Sequence, residues 1–109
     1  MADDTPTIKW PGKSGTNYKY WIYDRKTTFK AVAGNYIFAK EMKPGYWKPV
    51  YIGETSDLSS RFLNHHQNDC IDKNGATHIH VHSTAGGAQT RRDEETDLRG
   101  KWSTPCNEQ

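Results

Sequence analysis

No stretch of this chain approaches the roughly 18 consecutive apolar residues that a membrane-spanning helix needs. The first residues, Met1-Ala2-Asp3-Asp4-Thr5, also lack the basic and then apolar pattern of a secretion signal. A cytoplasmic protein with no membrane partner is therefore expected. Cysteine is scarce: Cys70 and Cys106 are the only two. They could pair, but two thiols in a chain without a secretion signal are expected to stay free and reduced. Apolar residues are few, 33% of 109, against 26% charged residues and a mean hydropathy of -1.00. A chain this short holds one core, and with so little aliphatic material the 12% aromatics must carry much of the burial. The sequence contains no internal repeat and no low-complexity segment, and it leaves the oligomeric state undetermined.

Charge is present but uneven. Through Val50 there are nine Lys and Arg residues against four acids, a balance of +5, although the whole chain carries only +2. The basic half is laced with Trp10, Tyr18, Tyr20, Trp21, Tyr23, Tyr46 and Trp47. Lysines counter phosphates and aromatic faces stack on bases, so this half reads either as a nucleic-acid surface or as a solvated positive face above an aromatic core.

Residues 1–17 contain Pro6, Pro11, Gly12 and Gly15 with little periodicity and read as an arm or loop around Trp10. The strand-forming run Tyr18-Lys19-Tyr20-Trp21-Ile22-Tyr23 and the weakly alternating Thr27-Thr28-Phe29-Lys30-Ala31-Val32 predict an N-terminal hairpin over 18–32. A second hairpin is expected from Gly34-Asn35-Tyr36-Ile37-Phe38-Ala39-Lys40 and the run Val50-Tyr51-Ile52-Gly53, with Pro44-Gly45 in the turn. After Gly53, Ser56 or Asp57 is placed to cap a helix over 56–68, on which Leu58 and Phe62 share one face and Arg61 and His65 another. Asp69 to Gly75 then reads as a loop or a second short helical turn ending at Gly75. The alternating Thr77-His78-Ile79-His80-Val81-His82 is a strand, with Ile79 and Val81 inward and the three histidines on the polar face. His-x-His on a strand can bind Zn²⁺, with Cys70 as a candidate further ligand, but three histidines on one face are more often a polar surface.

The last helix is expected over 88–102. Ala88, Leu98 and Trp102 define its apolar stripe, and Glu95 lies on that stripe, whereas Asp93, Glu94 and Asp97 fall off it as solvated charges. An inward carboxylate must be paired, protonated or bound to a cation; alternatively Glu95 sits at the edge and pairs with Arg91 or Arg99, four residues away. The fold class is thus α+β: a small antiparallel sheet of three core strands plus the N-terminal hairpin, flanked by helices.

In order, Gly34-Asn35-Tyr36, Tyr51-Ile52-Gly53, Arg61 with His65, Glu95 with Leu98 and Pro105-Cys106-Asn107 resemble the GIY-YIG nuclease superfamily. The resemblance spans residues 33–107 and makes 18–109 one GIY-YIG-like domain with a hairpin extension. Asn35 stands where the family usually has Ile, and the two tyrosines are fifteen residues apart, somewhat more than is usual. The resemblance implies a metal-dependent endonuclease that hydrolyses DNA phosphodiester bonds. A non-catalytic nucleic-acid-binding module on the same scaffold is the alternative. On this resemblance Glu95 would bind Mg²⁺ or Mn²⁺, and Arg61 would offer its planar fork to phosphate oxygens. Tyr36 would activate the attacking water, Tyr51 would hydrogen-bond the phosphate or water, His65 would orient or relay protons, and Asn107 would fix the geometry. A phenol with the usual pKa of ~10 is a poor base at neutral pH, so Tyr36 needs a lowered value or a relay.

Overall fold

The computed structural model describes residues 5–61, 68–84 and 86–107, without the side chain of residue 61. Five strands and three helices follow in the order β1 (Thr7–Pro11), β2 (Asn17–Asp24), β3 (Gly34–Lys43), β4 (Tyr46–Thr55), α1 (Leu58–Arg61), α2 (Asn68–Lys73), β5 (His78–His82) and α3 (Ala88–Lys101). All strands join one antiparallel sheet in the order β1-β2-β5-β3-β4. The α+β class is as expected, but the outer strands differ from the sequence reading. Strand β2 pairs with β1 on one side and β5 on the other, so residues 7–11 are a strand rather than an arm, and 27–32 form no strand of a hairpin. The cause is tertiary. Trp10 is fully covered by the core, which holds its short strand in place despite the flanking prolines.

The β3–β4 hairpin turns at Gly45, whose φ of +83° lies in the left-handed region that glycine adopts at least cost. The Asp57 carboxylate accepts a bond from the Ser59 amide at 2.9 Å and so caps α1, as its position predicts. Residue 75 ends the turn after α2 with φ +76°, the role expected of Gly75.

Directly opposed residues of antiparallel strands point to the same side of the sheet. The register therefore sorts the aromatic side chains. Trp21, Val81, Tyr36 and Gly53 form one row across four strands, and Tyr23, Ile79, Phe38 and Tyr51 form the next row on the same face. Leu58 of α1 and Ile71 of α2 pack there. The other face carries the row Ile22, His80, Ile37 and Ile52, and Trp10, Tyr20 and Leu98 of α3 close over it. With both faces covered, His80 is completely buried, so the histidine face is not a solvated one.

Cys70 and Cys106 form a disulfide with Cα atoms 5.7 Å apart. This corrects the expectation of free thiols: the bond ties α2 to the C-terminal segment, a contact that residue types alone do not reveal. Among the described residues, no helix is long and apolar enough to cross a membrane.

Candidate active site

Tyr36 and Tyr51 lie on the same sheet face, their rings stacked at 6.0 Å between centroids with 21° between planes. Both glycines of the sequence signature are explained by this packing. A Cβ on Gly53 would stand 2.6 Å from the Tyr36 hydroxyl and 2.8 Å from the Tyr51 ring. One on Gly34 would meet the His82 carbonyl at 2.8 Å and Leu58 at 3.0 Å. The first glycine lets the phenol cross over β4; the second lets β3 pass close to β5 and α1. Asn35, the residue between, points to the opposite face. Its Nδ2 donates to the Arg91 carbonyl at 2.9 Å and its Oδ1 accepts from Thr84 at 2.6 Å. Asn35 thus makes a contact with α3 and leaves the other face to the phenols.

Asn107 reaches the outer edge of β4. Its side chain accepts from the Ile52 amide at 2.7 Å and donates to the Ile52 carbonyl at 2.9 Å, which completes a backbone edge that no strand among the described residues covers. Beside it, the Cys106 amide donates to the Val50 carbonyl at 3.1 Å. The C-terminal segment therefore fixes the strand segment on either side of Tyr51, and the disulfide anchors that segment to α2.

Glu95 is half-buried, with 20% of its side chain exposed, and lies 3.9 Å from Arg99 one helical turn on. Arg99 also donates to the Asn107 carbonyl at 3.3 Å. The structure therefore links Glu95 to Asn107 at the β4 edge through Arg99, whereas α3 itself covers the face opposite the phenols. The edge position and the Arg99 pair match one of the two arrangements left open by the helix periodicity. Arg61 begins the segment that carries the other two predicted functions: its side chain, and all of His65, lie outside the described residues.

The buried acid of α3 is Glu94, not a solvated charge as its position predicts. Tyr20 donates to it at 2.7 Å, and His82 Nε2 lies 3.4 Å away. Burial raises the Glu94 pKa, with the Tyr20 bond and His82 opposing, and burial together with Glu94 drives the Tyr20 phenol well above its usual value. The inward row is Arg91, Glu94 and Leu98, while Ala88 is exposed. Asp97 is also engaged, accepting from Tyr18 at 2.7 Å and from the Ser14 amide at 2.8 Å. Hydrogen bonds from Tyr18 and Ser14 lower its pKa.

The three histidines take separate partners. His80 Nδ1 accepts from the Trp10 indole at 2.9 Å, His82 Nδ1 meets the Lys19 carbonyl at 2.7 Å, and His78 Nδ1 meets Thr77 at 2.8 Å. Cys70 is committed to the disulfide. No three His, Cys, Asp or Glu side chains cluster so as to hold a metal among the described residues. A lone hard ion needs less. Mg²⁺ keeps several waters and binds through one or two carboxylates, and Glu95 offers one, half-buried and 3.9 Å from Arg99.

Comparison of the chain with models of known protein families, with curated proteins and with solved structures finds no match.

Proposed function

We propose that this chain is a metal-dependent endonuclease of the GIY-YIG type, acting in the cytoplasm on the phosphodiester bonds of DNA. One observation carries the reading. The two signature phenols stack on one sheet face, over a glycine whose missing side chain makes their placement possible.

In this reading Glu95 would hold Mg²⁺ or Mn²⁺, and the ion would supply Lewis-acid stabilisation of charge on the phosphate and leaving oxygens. The chain's own residues do the rest. Tyr36 takes the proton of the attacking water, directly or through His65, as water oxygen bonds to phosphorus and the bond to the leaving oxygen breaks. Tyr51, 8% exposed where Tyr36 is completely buried and depends on the relay, would hydrogen-bond the phosphate or the water. The Arg61 guanidinium meets the equatorial oxygens, where negative charge accumulates. Asn107 holds β4 and hence Tyr51 in position.

The non-catalytic nucleic-acid-binding module is favoured by one feature: Glu95 rides on the helix that covers the other face and already has Arg99 beside it. A single assay separates the two. Purified protein with Mg²⁺ or Mn²⁺ is expected to nick or cut plasmid, and E95A and R61A to abolish this with the fold intact. Binding without cleavage under any divalent ion would select the second reading, and equal activity in both variants would defeat the first.

A further inference from the structure

The row that carries Tyr36 continues across the sheet into a groove that the nuclease reading does not use. Val81 is the register partner of Tyr36 on one side and of Trp21 on the other. Trp21 therefore stands two strands from Tyr36 on the same face, ~10 Å away at the usual spacing between strands. Beside it opens a cavity of about 540 Å³ lined by Trp21, Tyr23, Phe29, Lys30 and Leu58 among others. An adjoining cavity of about 250 Å³ shares Phe29 and Leu58 and adds Arg25 and Lys26. The walls bear aromatic faces, hydroxyls from Thr27, Thr28 and Ser83, and cations, of which Arg25 is paired with Asp72 at 2.8 Å, and among the described residues no acid lines either cavity. Phe29 meets Tyr23 edge-on at 5.2 Å, and the Lys19 ammonium lies 5.2 Å over the Trp21 ring.

We propose that this groove binds an unpaired base of a nucleic-acid single strand, with the base stacked on Trp21 and the flanking phosphates met by Lys19, Lys30 and Lys26. Charge sign and ring chemistry together select this occupant. An apolar ligand has no use for Lys30 and Lys26 along the wall, and a paired base has its faces already stacked inside a duplex. The distance to Tyr36 spans about three nucleotides at the ~3.4 Å rise of a stacked strand. Resting on the proposed nuclease for this last step alone, the geometry assigns it substrates with a single-stranded or flapped end, cut a few nucleotides from the held base.

The test is binding of the full-length, disulfide-bonded chain to fluorescent twelve-nucleotide oligo-dT, oligo-rU and a duplex of equal length, in EDTA so that no cleavage occurs. W21L keeps an apolar side chain of useful volume but removes the stacking face; W21F restores a face. Single strands are expected to bind more tightly than duplex. W21L should weaken them about five- to 150-fold, the worth of one stacked base, while W21F recovers most of the loss and both variants melt as cooperatively as the parent. The two oligonucleotides tell which sugar is preferred. Duplex bound more tightly than single strands, or W21L binding single strands within two-fold of the parent, would overturn the proposal. A chain that binds single strands through Trp21 but never cuts would refute the nuclease reading alone, and one that cuts with binding unchanged by W21L would refute the groove alone.

Discussion

Tyr36 lies directly opposite Gly53 in the β3–β4 ladder, and its hydroxyl fills the place a side chain at residue 53 would occupy. Substitution there acts on the phenol pair before anything else. G53A is expected to displace Tyr36 at a cost of about 1–3 kcal/mol, the usual penalty for an added methyl group in a packed core, and to remove most cleavage. Thermal melting and nicking assays on the same preparation check both parts. An unchanged melting temperature with full activity would show that the rings have room to spare.

Asn107 substitutes for a missing neighbour strand. N107A leaves the Ile52 amide and carbonyl without their partner, at a cost of about 1–3 kcal/mol. N107D keeps the acceptor but not the donor, so it should fall between the two. Faster hydrogen exchange at Ile52 in both variants, with N107A the faster, is the expected readout.

The disulfide closes a loop between residues 36 apart in sequence. Removing it by C106S or by a thiol reductant is expected to cost roughly 2–4 kcal/mol. The parent should therefore melt several degrees lower in reductant, while C106S should show no such difference.

Buried His80 makes stability fall in acid. Burial, with His78 adding to it, depresses its pKa to about 3 from the ordinary 6.5, so between these values the unfolded chain binds the proton and the folded one does not. Stability rises with pH wherever the unfolded state holds more protons, hence this contribution is complete above pH ~6.5 and declines by up to ~1.4 kcal/mol per unit below it. Glu94, with its pKa raised by burial, acts in the opposite sense, above the usual carboxylate range. The comparison is therefore parent against H80F, which also deprives the Trp10 indole of its acceptor. The parent should lose stability relative to H80F as pH falls from 6.5 toward 4. Parallel curves would contradict a buried neutral imidazole.

Much of the fold was legible because local signals agreed with tertiary ones. The Pro44-Gly45 turn, the Val50-Tyr51-Ile52 run and the Asp57 cap each stand where their residue types place them. Strand β1 was not legible, since Thr7-Ile8-Lys9-Trp10-Pro11 has little apolar pattern and is held by Trp10 against His80 and Trp102. Alternation correctly put the three histidines on one face, but it cannot say that α3 and Trp10 cover that face. The phase of α3 was misread for a related reason. A stripe drawn through Ala88 and Trp102 gives weight to the helix ends, whereas the residues buried are Arg91 and Glu94, paired to Glu54 at 3.0 Å and to Tyr20 at 2.7 Å. Polar residues satisfied by distant partners carry no hydrophobic period. Trp21 and Tyr23 were visible as aromatics in a basic stretch, but their alignment with Tyr36 needed the register of β5.

The most direct measurement is the cleavage rate of Y36F on DNA with Mg²⁺. This change removes one hydroxyl oxygen and leaves the stack on Tyr51 in place. A loss of about 10²- to 10⁴-fold, as expected for a proton-transfer group, with cooperative melting retained, is the outcome for a phenol acting on the attacking water. Cleavage by Y36F at the rate of the parent would contradict it.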